Sequence, residues 1–284
     1  MSSPRVLVID GNVTETRDRQ IGILGYDAAT GYARVLRRLL PGLECDLVFP
    51  ADIHSPQELV GTLGQYDGAA VTGSALCIAD GGSAVDRQIE LIDMIFEAGV
   101  PLFGSCWGLQ LAVTAAGGSV TANPSGREFG FARRIQLTEA GQRHALYAGK
   151  PAVFEAPTVH RDYVAQLPEG AQVLATNEMG IQAAAFSYRH GTCWGVQYHP
   201  EYDYRDIWGV TRRYGQALVE ARIFACREAL DEFSQDMEAL EKDSANRPLL
   251  WKHGLGPAML TEQERMRELA NWLMTEVLPR ARGR

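Results

Sequence analysis

No apolar run in this 284-residue chain approaches the ~20 residues that a membrane-spanning helix requires, so no bilayer span is expected. Cysteine is scarce. The five present, Cys45, Cys77, Cys106, Cys193 and Cys226, are odd in number and scattered, which argues against a disulfide framework and for a reducing cytoplasm. The formal net charge is −8, and no basic run or basic–aromatic interleaving is present to track phosphates, so nucleic acid is not expected as a partner. Gly81-Gly82 lacks the Lys-Ser/Thr that would make it a phosphate loop. His54, His144, His190 and His253 stand alone, and nothing at ligand spacing completes a metal set around His160-x-Asp162. Neither a metal nor another cofactor is expected. Met1-Ser2-Ser3-Pro4 leads straight into a strand pattern rather than a signal peptide.

What the chain does have is alternation. Short apolar runs at Val6–Ile9, Cys45–Phe49 and Gly68–Val71 are separated by helical patterns over Tyr32–Leu40 and Pro56–Leu63, and Ser83–Ala98 leads into a further apolar run at Val100-Pro101-Leu102. Such a pattern predicts an α/β fold with a mostly parallel central sheet flanked by helices. From Ala132 to Gln197 apolar runs follow one another more closely, at Arg134–Leu137, Ala152–Phe154, Val173–Ala175 and Ala183–Tyr188, which predicts added antiparallel strands.

The strongest chemical signal is Phe103-Gly104-Ser105-Cys106-Trp107-Gly108-Leu109-Gln110, a strand-to-helix turn with a thiol at its tip. A nucleophile on such an elbow occupies strained backbone, which small neighbours such as Gly104 and Gly108 tolerate. The alternative is a small buried filler under a turn. The second signal is Trp194-Gly195-Val196-Gln197-Tyr198-His199-Pro200-Glu201, read as a strand that ends in a histidine and a carboxylate. Side chains at i and i+2 of an extended chain share a face, so Glu201 can orient His199 while the other ring nitrogen meets a thiol. In open α/β sheets ligands gather beyond the carboxyl ends of the strands, where Gly73, Cys106 and His199 all fall.

These segments resemble the class I glutamine amidotransferases, with the closest likeness to the glutaminase half of GMP synthases. Val71-Thr72-Gly73-Ser74, Arg127-Glu128-Phe129-Gly130, His160-Arg161-Asp162 and Leu167-Pro168-Glu169-Gly170 extend the likeness over roughly Arg5–Tyr204. The resemblance implies a flavodoxin-like fold and a Cys106-His199-Glu201 triad that hydrolyses a γ-glutamyl amide through a cysteinyl thioester. It also implies an oxyanion hole from the Gly73 and Trp107 amides. Gln110 would help hold the glutamyl end, with Ser74, His160, Arg161 and Asp162 near the substrate. Apart from the resemblance, Gly73 reads first as a strand-ending turn, and for Gln110 a solvent-facing or structural side chain is the lesser alternative.

Two positions depart from the family. Gly73 is followed by Ser74-Ala75-Leu76-Cys77 instead of a Gly/Pro-rich turn, and Val159 stands where Ser or Asn is usual before the internal histidine. Residues 202–284 hold nothing that resembles a nucleotide-binding synthetase. Residues 1–212 are therefore read as the catalytic domain and 213–284 as a helical C-terminal extension. It is expected as one amphipathic helix over Tyr214–Leu240, then a second from a Thr261/Glu264 capping box to about Val277 before Pro279. Core covering or self-association into a homo-oligomer fits such apolar faces better than docking of a synthetase. Three functions remain open: a glutaminase feeding ammonia to a separate synthetase, a free-standing γ-glutamyl amide or peptide hydrolase, and a non-catalytic binding protein. The intact Cys106, His199 and Glu201 argue against the last.

Overall fold

The computed structural model describes residues 3–53 and 56–283; His54 lies outside the described residues. The strands are β1 Arg5–Ile9, β2 Glu44–Val48, β3 Gly68–Val71, β4 Leu102–Ser105, β5 Ser119–Ala122, β6 Glu128–Leu137, β7 Val153–His160, β8 Asp162–Gln166, β9 Gln172–Asn177, β10 Gly180–Tyr188 and β11 Gly191–Val196. Nine of them form one sheet in the order β2-β1-β3-β4-β11-β10-β9-β6-β7, while β5 and β8 pair separately. The run β2-β1-β3-β4-β11 is parallel and the remainder antiparallel. This is the parallel core with added antiparallel strands that the apolar runs predict.

Strand periodicity divides the core. Val6 and Val8 of β1 join the cluster on one face, Leu7 and Ile9 the cluster on the other. The helices are α1 Thr14–Leu24, α2 Ala28–Leu39, α3 Val60–Leu63, α4 Ser83–Glu97, α5 Trp107–Ala115, α6 Glu139–Arg143, α7 Tyr204–Glu220, α8 Arg227–Lys242, α9 Arg247–Lys252, α10 Glu262–Arg265, α11 Arg267–Trp272 and α12 Leu278–Gly283. Tyr32 and Leu36 of α2 pack on the first face; Leu91, Ile92 and Ile95 of α4 and Leu109 of α5 pack on the second.

The tail differs from its reading in four ways. The Tyr214–Leu240 pattern is two helices, α7 and α8, broken where Arg222 takes a left-handed φ of 58°. The expected boundary at 212/213 falls inside α7. Thr261 does cap α10 by accepting from the Glu264 N–H, but the Glu264 carboxylate turns to Arg267 rather than back to the cap. The last helix also runs past Pro279, because a π-helical turn over Leu273–Val277 precedes it and widens the turn whose carbonyl a proline ring would otherwise strike.

The tail covers core. Leu269, Trp272, Leu273 and Val277 lie in the cluster that contains Val6 and Phe103, and the Trp272 and Phe103 rings are 5.7 Å apart. Glu268 is fully buried, accepts from Tyr198 Oη at 2.6 Å and pairs with the buried Lys150 at 2.8 Å. Tyr198 immediately precedes His199, so the last helices brace the strand exit that carries the histidine.

Candidate active site

Cys106 sits between β4 and α5 at φ 52°, ψ −98°, a backbone conformation that costs on the order of 1–3 kcal/mol and survives only where its surroundings fix it. Here its N–H donates to the Val196 carbonyl at 2.7 Å, tying the elbow to the end of β11. Close packing demands both neighbouring glycines. A Cβ on Gly104 would lie 2.4 Å from the Gly108 carbonyl carbon, and one on Gly108 would lie 2.8 Å from Val71. The sulfur heads α5, where first-turn amides have no acceptor within the helix.

His199 and Glu201 do not lie on an extended strand. β11 ends at Val196, and the chain makes a turn in which the Tyr202 N–H donates to the His199 carbonyl at 3.1 Å. Pro200 thus stabilises a turn and not an extended link, yet the pairing survives: His199 Nδ1 is 2.7 Å from Glu201 Oε1. The second carboxylate oxygen accepts from Ser105 Oγ at 3.0 Å, which in turn meets Tyr32 Oη at 3.0 Å. All of these groups are buried. Burial alone would lower the His199 pKa; the charge of Glu201 and hydrogen bonds to Cys106 and Glu201 outweigh it and push it up to about 10. The pair with Glu201 thus favours the imidazolium.

Gly73 and Tyr202 hold that ring from its two sides. Tyr202 stacks on it with centroids 4.0 Å apart and planes 7° from parallel. A Cβ on Gly73 would fall 2.5 Å from the ring's Cε1. The Gly73 carbonyl accepts from Asn12 Nδ2 at 3.3 Å, while its N–H has no acceptor among the described residues. Asn12 Oδ1 also accepts from the Ala75 N–H at 3.0 Å, and Ser74 Oγ donates to the Gly11 carbonyl at 2.7 Å. Ser74 is thus occupied in shaping the loop that replaces the family's Gly/Pro-rich turn.

Gln110 Nε2 donates to the Asp162 carbonyl at 3.1 Å and to Gln197 Oε1 at 3.3 Å; Gln197 Nε2 is 3.4 Å from the Cys106 sulfur. Gln110 therefore lines the cleft and also anchors a second amide beside the Cys106 sulfur. His160 has both ring nitrogens engaged, Nε2 at 2.8 Å from Glu128 Oε2 and Nδ1 at 2.9 Å from the Asp162 carbonyl, as a tie between β6, β7 and β8. Asp162 accepts from the Cys77 thiol at 2.8 Å and from half-exposed Arg161 at 3.2 Å. At Val159, where the family usually has a polar residue, the main-chain carbonyl lies 3.7 Å from the Cys106 sulfur.

A cavity of about 180 Å3 gathers Gly73, Ser74, Cys106, Gln110, His160, Arg161, Asp162 and His199 around one point. Glu201 stands behind His199. Asn12, Gln20, Tyr202, Arg213 and Tyr214 share the lining without having been flagged in the sequence. Gln197 and Tyr202 flank the recognised histidine within three residues; Gln20 and Arg213 lie on helix surfaces and carry no local signal.

The family model of glutamine amidotransferase class I matches residues 26–206. A gamma-glutamyl-L-1-hydroxyisopropylamide hydrolase of Pseudomonas sp is 32% identical over 99% of this chain and 96% of its own length. A GMP synthase of Streptomyces avermitilis is 37% identical over 45% of this chain, a match spanning only 22% of that protein. A glutamine amidotransferase from Thermotoga maritima shares the fold at a TM-score of 0.61, with 19% identity over 95% of this chain and 99% of its own. Elbow, turn-borne His199-Glu201 pair, sheet order and these matches agree, and the chain belongs to the class I glutamine amidotransferase family.

Proposed function

We propose that this chain is a free-standing hydrolase of γ-glutamyl amides with a leaving amine larger than ammonia. The observation that carries it is the Glu201–His199 pair poised over a strained Cys106 at a helix start. Cys106 Sγ attacks the side-chain carbonyl carbon of the γ-glutamyl group while the proton held by His199 passes to the departing nitrogen. The Gly73 and Trp107 amides receive the oxyanion, an interaction whose loss typically costs on the order of 2.7–4 kcal/mol. Water then attacks the thioester, His199 takes its proton, and glutamate leaves.

The match to a hydrolase along nearly the whole chain, tail included, supports a reading that needs no synthetase. A reducing cytoplasm suits an enzyme whose nucleophile and four other cysteines are all free. Glutamate release by the purified chain from γ-glutamylethylamide, γ-glutamylglycine and glutamine tests the proposal, with Cys106→Ala as control. Cys106-dependent release from the larger amides is expected. Release from glutamine alone, rising when a synthetase is added, would overturn it in favour of an ammonia-supplying glutaminase.

A further inference from the structure

Two arginines in the Cys106 cavity have no carboxylate partner among the described residues. Arg127, in the loop before β6, and Arg213, on α7, flank Tyr214, with guanidinium carbons 5.5 and 4.9 Å from the ring centroid. Arg213 donates from Nη1 to Gln20 Oε1 at 2.9 Å, and its Nε, buried from solvent, has no hydrogen-bond partner. The cavity's own carboxylates, Asp80 and Asp162, form no ion pair with either guanidinium among the described residues. Arg5, Arg17 and Arg189 each hold a carboxylate within 3 Å, whereas Arg37, Arg87 and Arg205 donate to backbone carbonyls; what sets Arg127 and Arg213 apart is that both line the Cys106 cavity. Two partly buried guanidiniums with no carboxylate partner among the described residues, lining the same cavity as Cys106, can give an anionic ligand charge-assisted hydrogen bonds.

The position of these residues says which part of the ligand they meet. Gln20 precedes the stretch matched by the family model, and Arg213 and Tyr214 follow it. The γ-glutamyl end is common to the family's chemistry and is met by residues within that stretch. Gln20, Arg213 and Tyr214, which line the same cavity from outside that stretch, are placed for what varies, the leaving amine, and Arg127, though within it, stacks on the same Tyr214 ring. Packing makes the placement rigid: a Cβ on Gly209 of α7 would lie 2.6 Å from Leu24 of α1, so the two helices that carry Arg213 and Gln20 touch at backbone range.

We infer that Arg127 and Arg213, held by Tyr214 and Gln20, form a subsite for a carboxylate on the leaving amine, so that the substrates are γ-glutamyl amino acids or short γ-glutamyl peptides. The inference rests on the hydrolase reading above. It differs from a neutral hydroxyalkylamide preference in requiring charge on the departing group. The same chemistry could come from the α-carboxylate of the glutamyl group, and the test separates the two.

The measurement is kcat/KM for glutamate release from γ-glutamylglycine and from γ-glutamylethylamide, by the parent chain and by Arg213→Gln and Arg127→Gln. The parent should favour the glycine conjugate, and each substitution should lower the glycine-to-ethylamide ratio roughly 10- to 100-fold, the range for losing a hydrogen bond to a charged group. Retained turnover of the ethylamide shows that a variant is folded. An unchanged ratio with both substrates impaired equally would assign the arginines to the α-carboxylate and overturn the subsite. An unchanged ratio with neither impaired would overturn it as well. No release from either substrate by the parent would remove the hydrolase reading and the subsite together.

Discussion

Gly73→Ala isolates the contact on which the histidine's position depends. The new Cβ would stand 2.5 Å from His199 Cε1 and 3.2 Å from Nε2. Ordinary carbon–carbon contact is about 3.5–4.0 Å, so ring and loop must separate by about 1 Å or more. The ring has no room to retreat, since Tyr202 stacks on it at 4.0 Å and Glu201 holds Nδ1 at 2.7 Å. The loop is also restrained, because Asn12 bonds both the Gly73 carbonyl and the Ala75 N–H. A shift of about 1 Å in a catalytic group costs on the order of 100-fold. If the Gly73 amide receives the oxyanion as proposed, displacing it adds up to about 2.7–4 kcal/mol to the barrier. The expected result is a fall in kcat for γ-glutamyl amide hydrolysis of at least about 100-fold, with far-UV circular dichroism unchanged. Gly22→Ala is the matched control: a Cβ there meets nothing within 4 Å, and an alanine in exposed α1 should stabilise by roughly 0.5–1 kcal/mol. If Gly73→Ala kept kcat within threefold of the parent, the ring would not be clamped and the site's geometry would have to be redrawn.

Glu201→Gln removes the charge that, against the effect of burial, raises His199 to about 10. A raised folded pKa gives stability that is complete below the unfolded value of about 6.5 and lost as pH rises through about 10. The alkaline fall of kcat/KM should follow the same group and move to lower pH in the variant; a pH–rate profile with an unmoved limb would count against the pair. Glu268→Ala leaves Lys150 without its buried partner and Tyr198 Oη without its acceptor, which should cost about 3–5 kcal/mol in urea unfolding. Trp272→Ala opens a void against Phe103 and Gly68 and should cost about 3–5 kcal/mol, read as a lowered urea midpoint at constant m-value. Loss below about 1 kcal/mol would mean that the tail is only loosely docked.

The elbow and the sheet were legible because they are written in local patterns. Gly104 and Gly108 are spaced for the backbone contact they make, and the apolar runs of β1 to β4 have the period and length of buried strands. α1 was not legible: Thr14–Leu24 is polar around most of its surface, has a glycine within it and no side-chain cap, so it shows neither helical periodicity nor a start signal. It holds its place through tertiary contacts, the Gly209–Leu24 approach and the Gln20–Arg213 bond. β5 and β8 escape for a similar reason: as short as β1 to β4, they are about half exposed, and SVTA and DYVAQ offer no apolar run as long as that of β1. The His199-Glu201 pairing was read correctly from the wrong backbone, since two residues apart on a turn bring the groups together as well as two apart on a strand. The same distinction explains the cleft. Gly73, Cys106 and His199 follow the ends of β3, β4 and β11, where sequence marks them. Gln20 and Arg213, proposed to face the leaving amine, project from α1 and α7, where an arginine or a glutamine looks like any other solvated side chain until the two helices are packed together.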